Sequence, residues 1–172
     1  FGSTEMKERV LTSCLTGDKV AALAITEPSG GSDVGRIKTK AIRDGEDFIV
    51  NGQKTFITSG MNADFFTVAV RTGQEGPSGI SLLLVEGDRS GLERKRLDKM
   101  GWLSSDTATL YFDDVRVPVS NLIGEEGTGF SAIVNNFNAE RIDMAAQSIA
   151  FSRACFTEAL EWAKERGTLE NV

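Results

Sequence analysis

From residue 20 to residue 117 the chain is a succession of short apolar stretches, each bounded by Gly, Asp, Asn or Pro, and this punctuation constrains the fold more than any other feature. Val20–Thr26, Ile37–Ile42, Phe48–Asn51, Lys54–Thr58, Phe65–Thr72, Ile80–Glu86 and Thr107–Val117 are rich in β-branched and aromatic residues, which suit a pleated, half-buried surface. No long helical-period segment separates them, so the expectation is an antiparallel sheet system forming a small barrel or sandwich rather than a doubly wound sheet. Asn51-Gly52 is the strongest local signal, read as a two-residue hairpin loop because both residues tolerate positive φ. Pro118 ends the last strand.

The flanks have a different period. Met6, Val10 and Cys14, beside Leu11 and Leu15, form one apolar helical stripe within Phe1–Thr16, closed by Gly17. From Gly127 onward Phe130, Ile133, Val134 and Phe137 mark a second helical face that continues through Met144 and Ala145, and Phe156–Arg166 is still helix-like. The fold class expected is therefore mainly β with flanking α. Both ends fall in mid-pattern, as they would in an excised middle.

Composition removes several function classes. With 172 residues, 40% of them hydrophobic, the chain can bury one sizeable core and part of another. A net charge of −6 and a pI near 4.8 argue against nucleic acid or an anionic membrane surface as partner, since both require clustered cations. The absence of histidine removes Ser-His-Asp and Cys-His nucleophiles and any His-containing metal site, so no metal is expected. Cys14 and Cys155 have no metal-ligand spacing and read as reduced thiols. No run approaches the roughly 18 apolar residues needed to span a bilayer.

Three clusters carry possible chemistry. The loop Pro28-Ser29-Gly30-Gly31-Ser32-Asp33 follows an apolar strand; its glycines allow close backbone approach to an anion such as a pyrophosphate, and Ser32 adds a hydroxyl. It is neither a P-loop nor a dinucleotide fingerprint, and a plain connecting loop is the alternative. Phe56 and Thr58 share a strand face, suited to a flat polar-edged ring; the alternative is a core Phe beside a common β-former. Glu140 lies three residues after Phe137, seven after Ile133 and four before Met144, which places a carboxylate in an apolar helical stripe. Such a group becomes a usable base near neutrality; the alternative is a solvated or ion-paired carboxylate at the stripe's edge.

ALAITEPSGGSDV, NGQKTFITSG, GWLSSDTATLYFDDVRVP, GEEGTGF and FNAERI follow in the order in which the acyl-CoA dehydrogenase family carries similar motifs, and the chain resembles that family from near residue 18 to near residue 166. The resemblance implies three pieces: the end of an N-terminal helical domain at residues 1–17, a middle β-barrel domain at 18–125, and the start of a C-terminal helical domain at 126–172. It implies FAD held beside the barrel by Leu23, Ile25, Thr26, Gly31, Ser32, Phe56, Ile57 and Thr58. Thr58 would hydrogen-bond the flavin nitrogen that accepts hydride. Phe56 stands where a Trp is more familiar, keeping an aromatic wall without the indole donor. Ser32, Asn138 and Arg141 would contact the acyl-CoA, Asn138 replacing an acidic residue seen in some members.

Glu140 resembles the helix-borne catalytic base of part of the family; other members carry the carboxylate later, beyond residue 172. The implied reaction removes a proton α to the thioester carbonyl while hydride leaves the β carbon, giving a trans-2-enoyl-CoA, with electrons passed to an electron-transfer flavoprotein. A homotetramer or dimer of dimers is implied, in the bacterial cytoplasm or, in a eukaryote, the mitochondrial matrix. An acyl-CoA oxidase, a related flavin monooxygenase, or a non-catalytic β-barrel interaction fragment are the alternatives.

Overall fold

A computed structural model describes residues 1–167, which divide into two compact units, Phe1–Ala132 and the helical remainder from Ile133. In the first unit a helix, α1 (Thr4–Leu15), precedes strands β1 (Ala21–Ala24), β2 (Lys40–Asp44), β3 (Asp47–Thr58), β4 (Phe65–Arg71), β5 (Ile80–Glu86), β6 (Leu92–Arg96), β7 (Thr107–Pro118) and β8 (Leu122–Ile123). They form one sheet in the order β6-β7-β3-β2-β4-β5-β8, with β1 parallel to β4 off this path. The mainly β class with flanking helices is thus observed. Hydrogen-bond pairing leaves the sheet open at β6 and β8 rather than closing it as a barrel. β1 also departs from the antiparallel expectation.

The core follows from alternation along the long strands. Phe48 and Val50 of β3, Phe66, Val68 and Val70 of β4, Leu83 and Val85 of β5, and Leu110, Val115 and Val117 of β7 are almost wholly buried in one cluster. At roughly 1.5–3 kcal/mol per large apolar side chain, this cluster is the main stabilising term of the unit. The α1 helix adds a smaller cluster. Ser3 caps it by accepting the Met6 N–H at 3.1 Å, and Met6 and Val10 pack with Phe65 and Leu84. Leu11 and Leu15, grouped with that stripe in the sequence, stay exposed because only the i, i+4 row reaches the sheet. Gly17, at φ +83°, ends the helix as expected.

Asn51-Gly52 is not a hairpin. β3 runs straight through it, and the loop joining β2 to β3 is Gly45-Glu46, with Asp44 paired to Asp47 and Gly45 at φ +63°. Between Val50 and Gly52 the pairing with β7 slips, with Asp113 and Asp114 opposite the single residue Asn51, so β7 carries a bulge here, with Asp114 at φ +48°. Asn51 bridges to the opposite strand: its Nδ2 donates to Asp114 Oδ1 at 2.8 Å and its Oδ1 accepts the Asp114 N–H at 2.9 Å. Glycine is required there by close packing. A Cβ at Gly52, at φ +149°, would sit 2.7 Å from the Thr39 Cα.

The second unit is the body of one helix, α2 (Gly129–Glu165), which joins the two helix-like stretches read in the sequence. Its first turn belongs to the sheet unit, where a Cβ on Gly129 would lie 2.7 Å from the Ser81 carbonyl carbon. Beyond it Ile142, Met144, Ile149, Phe151, Phe156 and Trp162 are exposed in this chain. No helix among the described residues is long and apolar enough to cross a membrane.

Candidate active site

The first half of the site is built where β1 runs out. Beyond Ala24 the chain continues as Ile25-Thr26-Glu27 beside β3, held by the Thr55 N–H donating to the Thr26 carbonyl at 2.8 Å. Lys54, wholly buried, extends its ammonium to the Ile25 carbonyl at 3.0 Å and to Glu27 Oε1 at 2.9 Å. Glu27 in turn accepts the N–H groups of Lys38 and Thr39 at 2.7 and 2.9 Å. Burial pushes Lys54 down to about 8, only partly opposed by Glu27. For Glu27, burial is the largest influence and acts upward, but the Lys54 charge and the hydrogen bonds of Lys54, Thr39 and Lys38 together hold it below the ordinary carboxylate value.

The glycine loop then turns back on itself. Glu27 and Gly30 exchange backbone hydrogen bonds at 3.0 Å each way, so one loop N–H is used internally. Gly31 and Ser32 are exposed, and a Cβ on Gly31 would meet the Thr26 Cγ2 at 3.1 Å. The missing side chain lets the loop backbone lie close against Thr26.

The Phe56–Thr58 segment shows what sequence alternation could not. Counting by twos from Phe48 and Val50 would carry the inward phase through Lys54 to Phe56. Instead the pairing of β3 with β7 slips again between Lys54 and Ile57, and Phe56 adopts φ +59°. The bulge turns the ring outward, so Phe56 is 70% exposed while Ile57 is 2% exposed. The core placement of Phe56 is thereby excluded. A left-handed non-glycine residue costs about 1–2 kcal/mol, and strain spent on exposing an aromatic ring is a functional signal. Thr58 is also exposed. The turn after it is fixed by Asp106, which accepts the Met61 N–H at 2.7 Å and the Asn62 Nδ2 at 2.6 Å. Leu23 is half-exposed and Ile25 is buried, so Ile25 contributes backbone to this surface. An outward aromatic, two flanking hydroxyls and a stretch without Cβ fit a flat ring with a polar edge.

Asn138, Glu140 and Arg141 lie on α2 and are all exposed. Their bonds are local: Arg141 Nη1 donates to Asn138 Oδ1 at 3.2 Å, and Asn136 Nδ2 donates to Glu140 Oε1 at 2.5 Å. The dry apolar surroundings expected for Glu140 are not supplied by this chain, because Met144, one turn on, is itself exposed and Phe137 only half-buried.

One feature went unread in the sequence. A cavity of about 630 Å³ in the sheet unit is lined by Asp33, Gly35, Arg36, Ile37, Lys38, Lys40, Arg71, Glu75, Gly76, Pro77 and Phe130. Arg71 builds its wall by donating to the carbonyls of Gly35, Ile37, Gln74 and Gly76. Arg36, Lys38 and Lys40 are exposed. Their i, i+2, i+4 spacing in RIKTK was the available signal for a cationic face.

Comparison with known proteins identifies the family. The family described as "Acyl-CoA dehydrogenase, middle domain" matches residues 22–115, and "Acyl-CoA dehydrogenase, C-terminal domain" matches residues 127–171. A mitochondrial isobutyryl-CoA dehydrogenase of Dictyostelium discoideum is 44% identical over 168 residues, covering 96% of this chain and 40% of its own length. The crystal structure of a probable acyl CoA dehydrogenase from Mycobacterium abscessus superposes with a TM-score of 0.92 at 48% identity, over 95% of this chain and 44% of that one. A chain in the structure of the electron transferring flavoprotein of Acidaminococcus fermentans gives a TM-score of 0.89 at 38% identity, over 96% of this chain and 44% of that one. The chain therefore spans about two-fifths of the length of such relatives. Both domain families matched in order, together with these relatives, make this chain a member of the acyl-CoA dehydrogenase family.

Proposed function

We propose that the intact protein is an FAD-dependent dehydrogenase that converts an acyl-CoA thioester to its trans-2-enoyl-CoA. The observation that carries this reading is the Phe56 bulge, which spends backbone strain to face an aromatic ring and the Thr58 hydroxyl outward beside Thr26. FAD, when bound, supplies the acceptor for the hydride that leaves the substrate's β carbon. Leu23, Ile25, Thr26, Gly31, Ser32 and Phe56–Thr58 would hold it, Phe56 as the wall and Thr58 as donor to its edge. Ser32, Asn138 and Arg141 would bind the thioester's CoA portion, and the cationic cavity beside Asp33 suits its phosphates. Glu140 would take the proton α to the thioester carbonyl once further helices exclude water from it, since only a desolvated carboxylate is basic enough. Electron-transfer flavoprotein as acceptor is supported by the Acidaminococcus relative's structure. The boundaries at residues 17–18 and 125–126, the homotetramer or dimer of dimers, and a cytoplasmic or mitochondrial-matrix location belong to the same reading, the last supported by the Dictyostelium relative's mitochondrial name.

The test is anaerobic titration of the intact protein with a panel of acyl-CoAs beginning with isobutyryl-CoA. The expected result is bleaching of the flavin absorbance followed by slow reoxidation in air. Rapid peroxide formation would assign an oxidase or monooxygenase instead, and a protein that takes up no flavin would be the non-catalytic fragment.

A further inference from the structure

Lys54 and Glu27 form an ion pair that is 0% and 4% exposed at its side chains, deep in the sheet unit. Desolvating two charges costs several kcal/mol per ion, and apolar replacements of similar volume are often as stable or more so. Stability alone is therefore a poor reason for the pair. Its position offers a better one. Lys54 Nζ holds the residues on either side of Thr26, through the Ile25 carbonyl at 3.0 Å and the Glu27 carboxylate at 2.9 Å. Thr26 itself is held by the Thr55 N–H at 2.8 Å, and Phe56, Ile57 and Thr58 follow directly. Both edges offered to a flat ring are thus anchored to one buried cation, although that cation reaches no surface.

We infer that Lys54 and Glu27 are a positioning pair, which fixes the spacing between the Ile25–Glu27 segment and the Phe56–Thr58 bulge and so the separation of the Thr26 and Thr58 hydroxyls. The inference rests on the flavin reading above. Around Lys54, the residues beside Thr26 contribute the Glu27 carboxylate and the Ile25 carbonyl, and β7 contributes the uncharged Leu110 opposite it. The segment at residues 38 and 39 contributes two N–H groups, both turned to Glu27. Among the described residues Glu27 is the ionised side chain bonded to Lys54. When Lys54 loses its proton, near pH 8, the burial cost of its charge is relieved, but its bonds to the Ile25 carbonyl and the Glu27 carboxylate become those of a neutral amine, without charge assistance. The anchoring, and with it ring binding, should weaken across that range.

The test is equilibrium FAD binding to the intact apoprotein, followed by flavin fluorescence from pH 6.5 to 9.5. It compares the native protein with Lys54→Met/Glu27→Gln, which keeps side-chain volume and removes both charges. The native dissociation constant should rise about tenfold through a midpoint near pH 8. The double variant should melt close to the native temperature yet bind FAD at least tenfold more weakly at pH 7, with no pH step. A purely structural pair would shift melting and leave the binding profile alone. A double variant that binds like the native protein overturns the inference, as does a flat native profile, which decides the matter even if the variant fails to fold. Native apoprotein that takes up no FAD at any pH overturns the flavin reading itself.

Discussion

Thr26 and Thr58 stand on backbone that buried groups tie down, whereas Asn138, Glu140 and Arg141 stand on a helix where their bonds run only to residues three or four places away. The two sets of proposed site residues are therefore built to different standards within this chain. The sheet set meets the requirement for preorganisation, with the supporting groups paired and dry. The helix set carries its proposed residues on a surface that is exposed in this chain.

The contrast breaks most easily at Lys54. Replacing it by Met leaves Glu27 buried and unpaired, which should cost about 3–5 kcal/mol, read from urea unfolding. The pH dependence has a defined sign. Lys54 has a folded-state pKa depressed from 10.5 to about 8, so its favourable contribution is fully present above pH 10.5 and is lost as pH falls through 8. Native stability relative to Lys54→Met should therefore rise with pH across that window. Glu27 is also held below its ordinary value of 4.5, so its contribution is present above that pH and lost as pH falls further. Native stability that is flat from pH 8 to 10.5 against the variant would show that folding does not disfavour the Lys54 proton.

A second probe acts on packing rather than charge. Gly52→Ala would place a Cβ 2.7 Å from the Thr39 Cα at φ +149°, with strain and overpacking of about 2–3 kcal/mol. Thr39 donates its N–H to Glu27, so the loss should extend to flavin affinity. An unfolding midpoint equal to the native one would remove Gly52 and its contact with Thr39 from the supporting shell.

Legibility divides along the same line. The fold class and most of the strands were readable, because alternation and turn chemistry are local, though not β6, β8 or the continuity of β3. The bulges were not. Asn51-Gly52 has the composition of a hairpin, and only the slip of β3 against β7, the bond to Asp114 and the contact with Thr39 decide otherwise. Strand alternation puts Phe56 and Thr58 on one face, but the slip at Phe56 against β7 is what exposes the ring. Lys54 and Glu27 escaped notice altogether, since charged residues in strands usually face water and the partnership depends on a contact 27 positions apart. Glu140 shows the converse failure: its stripe was visible, but periodicity names a face without naming what covers it.

Phe56→Gly separates strain from binding. Glycine relieves the left-handed backbone, worth about 1–2 kcal/mol, and loses part of that to chain entropy, so the net effect on stability should lie between neutral and about 1 kcal/mol favourable. Flavin affinity should fall in the same variant. A destabilised protein with native affinity would mean that the ring packs on this fold rather than on a ligand.

Glu140→Gln is the mildest change to the fold and the sharpest to the chemistry. The carboxylate is exposed and bonded to Asn136 Nδ2 on its own helix, and glutamine keeps an acceptor oxygen at that place, so stability should move by less than about 0.5 kcal/mol. In the intact protein the same substitution removes the proposed acceptor for the α proton while leaving the groups proposed to bind CoA in place. Acyl-CoA should then still perturb the flavin spectrum on binding but no longer bleach it anaerobically. Native bleaching in the variant would move the base to a carboxylate beyond residue 172. The helix would then serve this site only through Asn138 and Arg141, as a surface for the thioester and not for its proton.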